Sequence, residues 1–283
     1  VIGMEIGSTY AKFGVEVTVL EALPHIVPSI DTDVREVLLH TSEKIMTIET
    51  GAMVKEIQDA DNQKKVVYET QGERRECCAE KVMVCVGRCP NTKKLGLETA
   101  GIQVNKRGYI QVNSHYETTA PGVYAIGDVN GQVLLAHAAS AQGIYVADRI
   151  SGKQTGINTK LIPSCIYTKP EIACVGKTED ELKKENIPYN VGKFPLSGNG
   201  KALSMGEQEG FVKILTGKNY GEILGAHIVG ARATDLIGEL ALAINAECTA
   251  EEIIHTVHPH PTVSEAIFEA AELSFNGQTV HII

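Results

Sequence analysis

The sequence predicts an α/β region followed by an α+β region, and three observations carry that expectation. A stretch of helical period leads straight into an alternating strand that ends in an acid. Two apolar runs further along stop at glycine, as strand ends of an open sheet do. Beyond about residue 161 short strands come first and helices after them, the order of an α+β domain. The expected divisions are a first domain over residues 1–86, a segment over 87–160 and a last domain over 161–283.

The helix is expected over residues 3–13. Ile2, Ile6, Tyr10 and Phe13 recur at helical spacing and Gly14 supplies the stop. Residues 15–20 alternate as a strand, and Glu21 follows. A helix feeding an acid-tipped strand reads as the second half of a dinucleotide-binding βαβ unit, with Gly3 in the place of the last glycine of GxGxxG and Glu21 18 residues later. An ordinary crossover helix gives the same local pattern. Val1 is not an initiator methionine, and the strand carrying the first two glycines is expected to lie ahead of it.

Residues 81–86 form a nearly continuous apolar run of the kind buried in a parallel sheet, stopped by GRCPN at 87–91. A second strand is expected over 123–126, running into Gly127-Asp128. An aspartate just past a strand tip can accept hydrogen bonds from a ligand hydroxyl, or can simply close an Asx turn. Residues 134–150 read as a helix whose first turn, Leu134, Leu135, Ala136 and His137, presents free N–H groups and the positive end of its dipole. There His137 reads as a helix-start or packing residue. In the last third, strands are expected over 211–215 and 222–229 with a hairpin at 217–221, then helices over 233–245 and 250–255, the second opened by a Thr249-x-x-Glu252 capping box.

Composition narrows the function classes. A net charge of −9 argues against nucleic-acid binding, which needs clustered Lys and Arg. No apolar run reaches the length of a membrane span, and Glu5 and Lys12 interrupt the first turns where a secretory signal would be apolar. The seven cysteines are scattered without metal-ligand spacing, so a reduced intracellular protein is expected and no metal site.

The segment HPHPTVSE at 258–265 carries the chemistry. His260 stands five residues before Glu265, across a proline that should start a helix. A histidine needs a fixed tautomer and ring orientation to act as a general base, and a carboxylate accepting from one ring nitrogen supplies both. Thr262-x-x-Glu265 also fits a capping box on a helix starting at Pro261 and Thr262, which would make Glu265 structural.

The ordered set VIGMEIG, VTVLE, VCVGRCPN, VYAIGDV, LLAH, YTKPEIACVG and HPHPTVSE spans the chain and resembles the pyridine-nucleotide disulfide oxidoreductases. Within that family it looks like the branch that passes two electrons from dihydrolipoamide through a redox disulfide and FAD to NAD+. The resemblance implies a Rossmann-like NAD-binding domain truncated at its N-terminus (1–86), a return segment of the FAD domain (87–160) and an α+β dimerisation domain (161–283). It assigns Val1, Ile2, Gly3, Met4 and Glu5 to the NAD-binding turn, Glu21 to the adenosine ribose, and Val54 and Gly87 to further NAD contacts. Asp128 matches the residue that holds the FAD ribityl chain, and Leu134, Leu135, Ala136 and His137 match the helix start beneath the flavin. His260 matches the catalytic acid/base and Glu265 its partner, acting on the other subunit of a homodimer.

Glu21 favours NAD over NADP, because a carboxylate repels a 2′-phosphate and Ala22, Leu23 and Pro24 bring no positive charge. Two features depart from the family pattern. An N-terminal FAD domain with its own GxGxxG is not in this sequence, and no cysteine pair has CxxxxC spacing, so the chain is expected to be a C-terminal part. AASAQG after LLAH is less acidic than this branch usually shows, which leaves mercuric-ion or glutathione reductase relatives open, the latter disfavoured by Glu21. The implied partners are a second copy and the lipoyl-bearing domains of 2-oxo-acid dehydrogenase or glycine cleavage complexes, in the cytoplasm or a mitochondrial matrix. A non-catalytic homodimerisation or nucleotide-binding module is the competing expectation.

Overall fold

The computed structural model describes residues 1–280. It divides into two compact units, one made of residues 1–85 together with those from 163 onward, the other of residues 86–162.

The first unit opens with α1 (Ile2–Lys12), which buries Met4, Gly7 and Ser8. Strands β1 (Thr18–Glu21) and β2 (Thr47–Thr50) pair in parallel, Glu21 opposite Thr50, with α2 (Thr32–Glu43) as the crossover. Parallel strands need such a crossover, and Asp31 starts it by accepting the Asp33 N–H at 3.1 Å. An antiparallel meander follows: β3 (Met53–Ala60), β4 (Gln63–Thr70) and β5 (Glu73–Ala79), in that order across the sheet.

The strand expected over 81–86 does not form. Val84 and Val86 are exposed and the segment carries no ladder. Among the described residues the parallel sheet holds β1 and β2 alone, and an apolar run with no strand alongside cannot satisfy its backbone as sheet.

The second unit has little regular structure. The strand expected over 123–126 is reduced to a single bridge, Glu117 opposite Tyr124. A 3₁₀ turn (Gly127–Asn130) follows, then α3 (Ala136–Ile150), which starts two residues later than expected, with Leu135 as its N-cap. The buried Gln142 amide ties the two together: its Oε1 accepts the Gly127 N–H at 2.8 Å and the Asn130 Nδ2 at 3.0 Å.

From residue 163 the chain returns to the first unit. It adds β6 (Ser164–Ile166), β7 (Glu171–Gly176), α4 (Glu179–Glu185), β8 (Tyr189–Pro195), α5 (Gly200–Met205), β9 (Phe211–Gly217), β10 (Ile223–Gly230), α6 (Ala233–Asn245), α7 (Ala250–Ile254) and α8 (Glu265–Asn276). The five strands form one antiparallel sheet in the order β6-β7-β10-β9-β8. Strand β9, between β10 and β8, is buried along its whole length, and the hairpin to β10 closes where the Gly217 N–H donates to the Glu222 carbonyl. Helix α8 lies so close on β8 that a Cβ at Gly192 would fall 1.9 Å from the Ala270 carbonyl oxygen, so only glycine allows this packing.

Ile166, Ile172, Phe211 and Val229 of this sheet share one core with Met4, Val34, Leu38 and Met46, which joins the N-terminal elements to the C-terminal sheet. A buried ion cluster reinforces the join. Lys213 of β9 reaches Asp31 at 2.9 Å, Asp33 at 3.1 Å and Glu179 at 2.6 Å, with both the Lys213 and Asp31 side chains 1% exposed. Burial opposes the Lys213 charge, but the hydrogen bonds it donates to Glu179 and Asp31 outweigh it and raise its pKa. On Glu179 burial is likewise outweighed, here by hydrogen bonds from Lys183, Lys213 and Tyr189, and its pKa falls to about 2.

Candidate active site

The segment between α7 and α8 is built by local hydrogen bonds and then pinned to the sheet side. Thr249 and Glu252 form the expected capping box on α7. Thr256 Oγ1 donates to the Glu252 carbonyl, and Thr262 Oγ1 donates to the Pro259 carbonyl at 2.6 Å. Asn199, buried at the start of α5, donates Nδ2 to the Thr262 carbonyl at 3.0 Å. Helix α8 then docks Ala266, Ile267, Ala270 and Ala271, all fully buried.

Helix α8 begins at Glu265, with Ser264 as N-cap, and not at Pro261 and Thr262. Thr262 Oγ1 goes back to Pro259, so the hydroxyl half of the expected capping box is not made. The carboxylate half is present: the Thr262 N–H donates to Glu265 Oε2 at 2.9 Å. The other oxygen, Oε1, lies 2.8 Å from His260 Nδ1. Both roles read from the sequence therefore fall on one carboxylate, at a helix start whose dipole favours a negative charge.

This contact fixes the tautomer. A carboxylate only accepts, so Nδ1 carries the proton and the Nε2 lone pair is left for chemistry. The His260 side chain is 75% exposed while that of Glu265 is 19% exposed, so the carboxylate is sheltered and the imidazole faces outward. The arrangement can take a proton from a substrate acid at Nε2 and hold the resulting imidazolium against Glu265.

The residues assigned to nucleotide binding in the first unit sit at two element ends. Val1 is the N-cap of α1 and makes no side-chain cap, so the first N–H groups of the helix point outward beside Ile2, Gly3 and Met4. A Cβ on Gly3 would lie 3.5 Å from the Cys85 Cβ, so the helix start passes close to the end of the 81–85 run. Met4 is buried in the core, and Glu5 Oε1 accepts the Tyr167 N–H at 2.8 Å. Glu21 ends β1, and its Oε1 is held by the Leu23 N–H at 2.8 Å, which aims the carboxylate at the strand tip. Val54 lies half-exposed in β3, beside a break in register. An uncapped helix start, a glycine there and a steered carboxylate at the parallel strand tip fit a nucleotide diphosphate and ribose.

In the second unit Gly87 takes φ +113°, open to glycine. Asp128 lies in the 3₁₀ turn, half-exposed, with Arg88 Nη2 3.4 Å away. Leu134 is exposed, Leu135 caps α3 without a side-chain bond, and Ala136 and His137 form its first turn. A Cβ on Gly127 would come 3.0 Å from the Ala139 Cβ, which holds the turn against the helix. An exposed carboxylate and an uncapped helix start fit a polyhydroxyl chain and an electron-rich ring edge.

Residues 1–143 match the model of the pyridine nucleotide-disulphide oxidoreductases, and residues 162–271 match that family's dimerisation domain. The chain belongs to this family. It is 39% identical over its whole length to the dihydrolipoyl dehydrogenase of Bacillus subtilis, and 42% identical over 96% of its length to that of Cupriavidus necator. It spans 60% and 58% of those two relatives. Among solved structures, LpdA of Mycobacterium tuberculosis superposes with a TM-score of 0.88 at 30% identity, over 96% of this chain and 59% of that one. The HOCl-induced flavoprotein disulfide reductase RclA of Escherichia coli gives a TM-score of 0.87 at 25% identity, over 96% of this chain and 62% of that one. The fold is thus that of the family, α/β sheets with a dimerisation domain. No helix among the described residues is long and apolar enough to cross a membrane.

Sequence reasoning gave no role to three residues that hold the segment in place. Asn199 is 63 positions from Thr262, and no local pattern announces it. His258 and Glu239, 2.9 Å apart, were equally silent, although His258 stands in the motif itself.

Proposed function

We propose that the chain is part of a dihydrolipoyl dehydrogenase, which oxidises dihydrolipoamide to lipoamide and reduces NAD+ to NADH. The observation that carries this reading is the His260–Glu265 pair, with Nδ1 held by the carboxylate and Nε2 exposed. Residues 1–86 would bind NAD, 87–160 would complete the FAD domain, and 161–283 would form the homodimer that brings His260 to the partner's active site. Lipoyl-bearing domains of multienzyme complexes would be the substrate carriers.

The pair's part is a proton transfer. A thiol of dihydrolipoamide gives its proton to Nε2 of His260; the S–H bond breaks, Nε2–H forms, and the electron pair stays on sulfur as the nucleophilic thiolate. The imidazolium so formed keeps its Nδ1–H bond to Glu265, which holds the ring and balances its charge. When bound, FAD and NAD supply the electron and hydride transfer. Val1 to Gly3 would receive the NAD diphosphate on the N–H groups of α1, and Glu21 would accept the 2′-hydroxyl and repel a 2′-phosphate. Asp128 would accept from the ribityl hydroxyls.

The test compares wild type and His260→Gln in the full-length protein. Lipoamide-dependent NADH formation should fall by about 10²–10⁴, the range for a general acid/base. NADH oxidation by a one-electron dye should survive, because that route requires no proton transfer at a dithiol. Full lipoamide turnover by His260→Gln would overturn the assignment.

A further inference from the structure

His258 occupies a position unlike that of its neighbour His260. Its side chain is 6% exposed, and both ring nitrogens face acceptors: Nε2 lies 2.9 Å from Glu239 Oε1, and Nδ1 lies 3.0 Å from the Thr256 carbonyl oxygen. A neutral imidazole has one N–H and can satisfy one of these two; the other would set lone pair against lone pair. Only the doubly protonated ring meets both. The charged groups facing the ring are Glu239 from α6 and Glu265 from α8, and Phe268 of α8 packs its ring 6.2 Å away. Both of these charged groups are carboxylates.

We propose that His258 is a standing imidazolium that clamps the 256–260 segment to α6 through Glu239 and acts as the positioning residue for the His260–Glu265 pair. The geometry gives it two effects. It fixes the backbone two residues before His260 from both sides of one ring, Thr256 on one and α6 on the other. It also sets a positive charge facing the Glu265 carboxylate that accepts from His260 Nδ1–H. The hydrogen bond to Glu239 first, then the Coulomb attraction of Glu239, raises the His258 pKa above the ordinary histidine value despite burial. The catalytic consequence rests on the function proposed for His260; the charge state of His258 and its hold on the His260 tautomer do not.

Long-range ¹H–¹⁵N spectra of the histidine rings in the 283-residue chain test both statements, with Glu239→Gln as the variant because the amide keeps an acceptor and removes the charge. At neutral pH the wild-type His258 should show both nitrogens protonated, and His260 should show Nδ1–H. In Glu239→Gln the His258 titration should move to lower pH, and His260 should lose the Nδ1–H tautomer as the 256–260 segment loosens from α6 and the ring leaves Glu265. A wild-type His258 with a single protonated nitrogen at neutral pH would overturn the standing charge. A Glu239→Gln chain in which His258 titrates lower while His260 keeps its tautomer would overturn the positioning role. In the full-length protein, Glu239→Gln should lower lipoamide turnover by roughly tenfold, as loss of an outer-shell partner does, with the dye reaction unchanged. His260→Gln at full turnover would sink the functional reading instead, and the ring spectra would still decide this one.

Discussion

Replacing Glu265 by glutamine separates two roles that one carboxylate now performs. The carboxylate accepts twice, from the Thr262 N–H at 2.9 Å and from His260 Nδ1–H at 2.8 Å. A glutamine has one accepting oxygen and one donating amide, so only one of these bonds can survive. If the oxygen stays on His260, the amide NH₂ faces the partly buried Thr262 N–H, donor against donor, at a cost of about 1–3 kcal/mol. If the oxygen turns to Thr262, the NH₂ faces His260, whose ring is 75% exposed and is able to change tautomer or rotate into water at little cost. The second arrangement wins by that difference, so Glu265→Gln should keep its cap and give up the His260 Nδ1–H tautomer. Stability should then change by less than about 0.5 kcal/mol, below the 0.5–2 kcal/mol range for loss of a cap. Lipoamide turnover in the full-length protein should fall, but by less than the about 10²–10⁴ expected of His260→Gln, because the orientation of the base is lost and the base itself is kept. Urea unfolding followed by far-UV circular dichroism gives the first number, since the chain has no tryptophan to report. Ring ¹⁵N shifts give the tautomer. A variant destabilised by 2 kcal/mol or more that kept the Nδ1–H tautomer and its turnover would refute the reasoning.

Other parts of the fold make equally definite statements. Lys213→Met should cost about 3–5 kcal/mol, since it leaves Asp31 buried and without its cation, and adding Asp31→Asn should recover much of that in the same urea assay; an unchanged midpoint in the single variant would contradict the cluster's role. Glu179, held down to about 2, should stabilise the fold fully above its ordinary value of 4.5 and progressively less as pH falls from there toward about 2. Acid unfolding of Glu179→Gln should accordingly show a shallower pH dependence in that window, and an identical slope would count against it. Amide exchange should be slowest in the wholly buried β9 and fastest over 81–86, which has no ladder; equal protection in the two would rule out the assigned difference.

What could be read from the sequence was what local interactions decide. Helix α6 fell where its period put it, residues 233–245, and the Thr249–Glu252 capping box on α7 needs only residues three apart. The β9–β10 hairpin follows from a short polar turn between two apolar runs, and the His260–Glu265 pair from a spacing of five residues. The misreadings are of the opposite kind. Residues 81–86 and 123–126 look like buried strands, but a parallel strand exists only if a distant segment lies beside it, and an apolar run says nothing about its neighbour. The start of α8 was misplaced by three residues because the Thr262 hydroxyl donates back to the Pro259 carbonyl and accepts from no helix N–H, so it does not cap the helix. The Lys213–Asp31 contact spans 182 positions, and no window of sequence contains both.

The late start of α8 also resolves the two meanings of Glu265. In a capping box the acid sits in the third helical position and folds back on the N-cap, which would turn it toward its own backbone. Here the acid is the first helical residue, so it still reaches the Thr262 N–H three positions back while its second oxygen projects past the helix end toward His260. The helix itself is held by four small or branched side chains, Ala266, Ile267, Ala270 and Ala271, and by the glycine at 192 that lets it sit on β8. A base on a flexible loop would need entropy to be lost at each turnover. His260, the proposed base, has its orienting carboxylate set by a docked helix and its backbone set by Asn199 and His258, and only the imidazole stands in solvent. Capping and orientation are one device: the bond that ends the loop is made by the same group that aims the base.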